Sequence, residues 1–226
     1  MSIQYILFDL DGTLTDPGEG IIKCYQYSLD RLNARCPPSE ELAAFIGPPI
    51  RATFAQVLDT SDDSLIEQAV TLYRERFSTV GLFENMIYEG VPEMLKELQT
   101  SGYKLFIATS KPGVYAERIL THFSLDGYFI KAHGNELNGR LDDKAELVSE
   151  LIAEHIMTQD ETLMVGDRWH DISAAKRNHI ASLGVTYGYG SEEELTKACA
   201  DHICHSPAEI VRLINREYGQ PSVQAI

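Results

Sequence analysis

Two aspartates stand two residues apart at the end of an apolar run, Ile6-Leu7-Phe8-Asp9-Leu10-Asp11-Gly12-Thr13. Carboxylates so placed are costly unless a cation joins them. Alternate residues of an extended strand share a face, so Asp9 and Asp11 can present both carboxylates to one metal ion, and Gly12 lets the backbone turn sharply just beyond. Alone, the pair also fits an aspartate that caps a turn. Three further segments weaken that plainer reading. Tyr103 to Ala108 runs into Thr109-Ser110-Lys111-Pro112, Thr162 to Val165 runs into Gly166-Asp167-Arg168-Trp169-His170-Asp171, and Lys144 precedes an amphipathic stretch. Thr109 ends its strand with a hydroxyl where backbone N–H groups also point outward, a set of neutral donors suited to an anion. Asp167 and Asp171 are four apart at a helix start and offer hard oxygen ligands, although acids there also serve as plain caps. Lys144 has acidic neighbours, Asp142, Asp143 and Glu146, as surface lysines commonly do, and Lys131 is the other candidate.

The elements that must position these groups alternate between strand and helix from about residue 85 onward. Strands are expected at 3–9, 103–109, 128–132, 162–166, 181–186 and 201–204. Helices are expected near 91–101, 113–122, 143–156, 170–178, 191–199 and 207–217. Continuous apolar runs such as Ile3 to Phe8 suit strands covered on both faces, and the carboxyl ends of such strands are where open α/β sheets place ligands. The fold class is therefore α/β, a doubly wound parallel sheet of Rossmann-like form. Residues 16–85 break the rhythm with helical spacing (Ile21, Ile22, Tyr25, Leu29, Leu32; then Leu65, Ile66, Ala69, Val70, Tyr73, Phe77) and no expected strand. The expected organisation is a core of 1–15 and 86–226 with a small helical domain, 16–85, inserted between linkers at Asp16-Pro17-Gly18 and Asn85 to Gly90. Within the insert, Phe45-Ile46-Gly47-Pro48-Pro49-Ile50-Arg51 reads as a rigid turn ending on a cation.

Composition limits the partners. A formal charge of −15 argues against any broad nucleic-acid surface, so an anion must meet a local cationic island made from a metal, a lysine and backbone N–H groups. No apolar run approaches the roughly 20 residues that span a bilayer, and the acidic amino terminus does not suit a signal peptide, so the expectation is no membrane and a cytoplasmic location. Four cysteines without a Cys-x-x-Cys pair fit reduced thiols. Cys199, His202, Cys204 and His205 form a local cluster, but their spacing matches no common zinc finger and no zinc is expected there. A monomer or homodimer is expected.

Asp9 to Thr13, Thr109, Lys144 and Gly166 to Asp171 match, in order, the four motifs of a known family. From Ile3 to about Glu217 the chain resembles the haloacid dehalogenase-like superfamily of aspartate-dependent phosphohydrolases. Phe45 to Pro49, Thr109 to Pro112 and Tyr187-Gly188-Tyr189-Gly190 give it the look of the phosphoglycolate phosphatase-like branch. The resemblance implies Mg2+-dependent hydrolysis of a small phosphate monoester. Asp9 would be the nucleophile that forms an aspartyl-phosphate, and Asp11 the general acid and then base; superfamily dehalogenases, which attack carbon, lack this second aspartate. Thr109 would hold the phosphoryl group, with Ser110 and Gly12 contributing to substrate binding, while Lys144 bridges phosphate and nucleophile. The metal would be held by Asp9, the Asp11 backbone carbonyl and Asp167, with Asp171 acting behind them. The insert would be a cap, where Arg51 either meets the substrate or stays solvated. A cap pocket lined by aromatics would favour a nucleoside monophosphate and a small cationic one phosphoglycolate. A β-phosphoglucomutase-type mutase and a non-catalytic binding or regulatory protein are the other readings.

Overall fold

A computed structural model describes residues 3–219. In chain order the elements are β1 (Tyr5–Phe8), β2 (Thr15–Asp16), α1 (Gly18–Arg31), α2 (Ser39–Ala43), α3 (Ile50–Val57), α4 (Asp63–Arg76), β3 (Met86–Ile87), α5 (Val91–Thr100) and β4 (Lys104–Pro112). They continue with α6 (Gly113–His122), β5 (Phe129–Asn135), α7 (Lys144–Glu154), β6 (Thr162–Gly166), α8 (Trp169–Arg177), β7 (Ala181–Val185), α9 (Glu192–Lys197), β8 (His202–Cys204) and α10 (Pro207–Glu217). Six strands form one parallel sheet in the order β5-β4-β1-β6-β7-β8. The chain winds from β1 outward to β5, then returns to the other side of β1 at β6. The sheet therefore reverses between β1 and β6, and the carboxyl ends of those two strands open the crevice where such sheets bind ligands.

β1 is central and covered on both faces, which is why it reads as an unbroken apolar run. Ile6 and Phe8 pack into one buried cluster with Leu105, Ile107, Leu163 and Val165, beneath residues of α5, α6 and α10. Leu7 points the other way with Phe106, Ala108 and Met164, beneath Leu147, Val148 and Leu151 of α7 and Ala174 and Ala175 of α8. This alternation is the pleat of a strand expressed as two cores.

The helical insert lies between β2 and β3, which pair antiparallel through Thr15 with Ile87 and Asp16 with Met86. The two chain crossings are thus one short ribbon, a strand pair that helical spacing in 16–85 did not announce. Inside the insert α1 packs on α4, where Ser28 Oγ donates to Ala69 O at 2.8 Å and Tyr25, Phe54 and Tyr73 bring their rings together. The segment Phe77–Gly81 continues α4 as one π turn, a local widening that turns up disproportionately near functional sites.

Two strands run longer than expected. β4 continues past Thr109 to Pro112, and β5 past Ala132 to Asn135, because each supplies the other's partner through Thr109 with Gly134 and Pro112 with Asn135. Among the described residues, no helix is long and apolar enough to cross a membrane.

Candidate active site

Asp9 follows the last residue of β1, and Asp167 follows the last residue of β6, its neighbour in the sheet. Parallel register therefore delivers both aspartates to one edge. Asp171 joins them from the first turn of α8, where its Oδ2 accepts the Arg168 N–H at 3.0 Å. Lys144 is the first residue of α7, whose preceding Asp143 caps the helix by accepting the Ala145 N–H at 2.8 Å. This cap fixes where the helix begins and sends Lys144 inward rather than to the surface its acidic neighbours suggested. Its Nζ lies 2.9 Å from Asp9 Oδ2 and also contacts Asp171. Lys131 plays no part in this cluster.

Asp9, Asp167 and Asp171 are buried and can each present an oxygen within 4.8 Å of the others; among the described residues they are the one such group of metal-ligand side chains. Burial, with Asp171 and Asp9 alongside, holds the Asp167 carboxyl well above the usual carboxylate range. Burial pushes Asp171 up to about 6, against the pull of Lys144 and with the push of Asp9. Burial opposes the charge on Lys144, yet Asp171 and Asp9 outweigh it and raise the lysine. One ammonium thus touches two of the three carboxylates. Asp167 has no cationic side chain of its own, only the Tyr189 N–H at 2.8 Å and a long contact from the Thr13 hydroxyl at 3.4 Å. Oxygen donors gathered around a charge deficit suit a hard divalent cation such as Mg2+.

Asp11 is not a member of this trio. Its Oδ2 takes Lys111 Nζ at 2.7 Å, and burial raises the carboxyl against the opposing pull of that lysine. Lys111 is buried too and lies 4.5 Å from the centre of the Phe77 ring, so it is neither solvated nor idle. Thr109 is buried, and its Oγ accepts the Lys111 N–H at 3.2 Å, leaving the hydroxyl proton free to turn toward an anion. Gly12 adopts φ +83°, and a Cβ there would meet Asp167 Oδ2 at 2.2 Å, so the turn after Asp11 requires a residue without a side chain.

A cavity opens from Asp9, Asp11, Thr109, Ser110 and Lys111 and ends against the insert. The rest of its wall carries Tyr25, Tyr73, Phe77 and Arg74 from the insert, Tyr115 of α6 and Asn135 of β5. Arg51 is not part of this wall. It pairs with Glu67, donates to Leu137 O at 3.1 Å and lies 3.8 Å from Asp142, so its guanidinium is engaged outside the cavity. Arg74 is the cation that sequence reasoning missed. It stands four residues after Val70 and eight after Ile66, on the shoulder of the stripe that buries α4, and that position was the available signal.

Trp169 is half-exposed and borders a neighbouring groove with Pro49, Ser110 and His170. His170 stacks on Trp169 with ring centres 3.8 Å apart, and burial, helped by Lys144 and Arg168, depresses it to about 4. It is therefore a neutral, half-buried ring and not an exposed cation. The Cys and His cluster disperses: His205 meets Thr186 Oγ at 2.8 Å, His202 packs its ring on Tyr218, and Cys199 is exposed while Cys204 is buried.

A family model described as haloacid dehalogenase-like hydrolase matches residues 6–185. A 5'-nucleotidase of Pseudomonas aeruginosa is 44% identical over 209 residues, covering 92% of this chain and 94% of that protein. A phosphoglycolate phosphatase of Colwellia psychrerythraea is 28% identical over 202 residues, covering 86% of this chain and 89% of that one. Among solved structures, a predicted phosphatase from Clostridium acetobutylicum superposes with a TM-score of 0.92 at 38% identity, covering 96% of this chain and all of that one.

Proposed function

The chain belongs to the haloacid dehalogenase-like hydrolase family, and from that membership we propose that it is a Mg2+-dependent phosphatase of nucleoside 5′-monophosphates working through an aspartyl-phosphate. The observation that carries the substrate reading is the cavity itself, which begins at Asp9 and Asp11 and ends against four aromatic rings. A nucleobase presents flat faces that stack on such rings, whereas glycolate offers them nothing. The likeness to a 5'-nucleotidase over nearly the whole chain supports the same choice. Residues 16–85 form the cap, hinged on the ribbon of β2 and β3.

In the proposed reaction an Asp9 oxygen attacks phosphorus, the bond from phosphorus to the nucleoside oxygen breaks, and Asp11 gives that oxygen its proton. Water then attacks the aspartyl-phosphate, Asp11 takes the water's proton, and inorganic phosphate leaves with the Asp9 carboxylate restored. Lys144 holds Asp9 and offsets the approach of one anion to another. The Thr109 hydroxyl and Ser110 N–H donate to phosphoryl oxygens, and Lys111 orients Asp11. Asp9, Asp167 and the Asp11 backbone carbonyl would hold Mg2+, with Asp171 supporting them; when bound, the ion supplies neutralising charge to the phosphoryl oxygens.

A phosphate-release screen over nucleoside monophosphates, phosphoglycolate, sugar phosphates and a small aryl phosphate tests this reading. Turnover that needs Mg2+, vanishes in EDTA and is fastest on a nucleoside monophosphate is expected. Preference for phosphoglycolate would move the substrate, and interconversion of sugar phosphates without free phosphate would replace the phosphatase with a mutase.

A further inference from the structure

Arg168 lies inside the fourth motif, between two acids of the site, yet its side chain turns away from them. Its Nη1 donates to Ile46 O at 2.5 Å and lies 3.5 Å from Ala44 O, both in the cap loop that follows α2. Its Nε donates to Glu194 Oε1 of α9 at 2.9 Å, and the same carboxylate oxygen accepts the Trp169 N–H at 2.9 Å. The Arg168 N–H, in turn, is the donor held by Asp171. One residue therefore ties together the cap loop, α9 and the acid cluster. We propose that Arg168 is a positioning residue that latches the cap loop over the leaving-group end of the site without touching the phosphoryl group or the metal.

Three physical points support the assignment. The Ala44 carbonyl at the end of α2 and the Ile46 carbonyl in the turn beyond need donors, and the guanidinium supplies them across the gap between cap and core. Glu194 fixes the guanidinium before the cap arrives, so little side-chain entropy remains to be lost on closure. Gly47 adopts φ +114°, and a Cβ there would come within 3.2 Å of Arg168 Cγ, so the loop lies directly against the arginine stem. What the latch holds is functional wall: Ile46, Gly47 and Pro48 line the cavity above Asp9 and Asp11. Another arginine joining cap to core, Arg51, divides itself between Glu67 and the core loop at Leu137, away from this wall.

The inference rests on the phosphatase reading only for its kinetic readout. Hydrolysis of a nucleoside 5′-monophosphate and of p-nitrophenyl phosphate is measured for the unchanged protein and for Arg168→Gln, Arg168→Lys and Glu194→Gln. Arg168→Gln is expected to raise KM for the nucleotide about tenfold, the scale of one lost charge-assisted hydrogen bond, with kcat and aryl phosphate turnover held within about twofold. Arg168→Lys should recover part of that loss, and Glu194→Gln should show it in weaker form. Unchanged KM in Arg168→Gln, or an equal fall in kcat on both substrates, overturns the latch. Hydrogen exchange of the cap loop, residues 42–50, supplies a second measurement that needs no substrate. Faster exchange there in Arg168→Gln, with β1 and β6 unaltered, is expected; unchanged exchange overturns the proposal even if the protein hydrolyses nothing. Failure of the unchanged protein to release phosphate from either substrate would count against the phosphatase reading alone.

Discussion

Two lysines divide the work of keeping two aspartates in place, Lys144 on Asp9 and Lys111 on Asp11. Because Asp9 is the proposed nucleophile and no neighbour can replace its oxygen at the crevice, Asp9→Asn should reduce phosphate release by about a thousandfold or more. Retention of a tenth of the activity in a steady-state assay would rule out an aspartyl-phosphate. Two of the cap arginines, Arg74 and Arg51, separate by the same logic. Arg74 faces the cavity and has no ion-pair partner among the described residues, whereas Arg51 is bound to Glu67. Arg74→Gln should lower kcat/KM for nucleoside monophosphates about ten- to a hundredfold while sparing p-nitrophenyl phosphate. Arg51→Gln should leave the substrate ranking intact and cost no more than about 1 kcal/mol of stability, as expected for an ion pair near the surface. Reversed results in a kinetic comparison of the two variants would return Arg51 to the site.

At the scale of elements, the loop after β7 is the brace of the site. Tyr189 N–H holds Asp167, its hydroxyl reaches Asp16 in the cap hinge, and the Tyr187 hydroxyl donates to Thr13 O at 2.9 Å. Hinge, first motif and fourth motif thus share one loop, and the glycines that alternate with its tyrosines let it come close enough. A Cβ on Gly188 would lie 2.1 Å from Gly12 O and 2.6 Å from Asp167. Gly188→Ala should therefore cost about 1–3 kcal/mol by overpacking. In a chain of this size that corresponds to a fall of about 2–10 °C in Tm, and activity should drop with it because the displaced groups belong to the site. Calorimetry showing an unchanged Tm would mean that the loop does not brace Asp167 in this way.

For the whole molecule, charge sets the terms on which metal and fold are linked. The chain carries −15 overall and gathers three buried carboxylates, two of them in contact with Lys144. Burial holds the folded-state pKa of Asp167 above its unfolded value, so stability falls as pH rises from the unfolded pKa to the folded one, and levels off above that. Asp167→Asn measured in EDTA at neutral pH should thus be at least as stable as the unchanged protein. Adding Mg2+ at about a hundred times its Kd should stabilise the unchanged protein by about 2.7 kcal/mol and the variant much less. Thermal melts in which EDTA and Mg2+ give the same Tm for the unchanged protein would sink the metal assignment.

The sequence determined the sheet and the acids at its edge. An apolar strand ending in Asp9 and Asp11, a second ending in Asp167 and a third ending in Thr109 are local facts, and parallel pairing leaves such strand ends one place to meet. Lys144 was nameable for a related reason, since its position at a helix start could be read even though its acidic neighbours suggested the surface. Only the tertiary structure decided which cations serve the site. Lys111, Arg51, Arg74 and Arg168 look alike as letters, and what separates them is which surface each meets once cap and core are packed together. Lys111 goes under on an extended β4, Arg51 is captured by Glu67, Arg74 turns inward from the shoulder of α4, and Arg168 reaches across to the cap loop. Strand and helix periods are set by neighbours along the chain, but the partner of a long flexible cation is set by groups tens to hundreds of residues away, and only the folded chain brings them together.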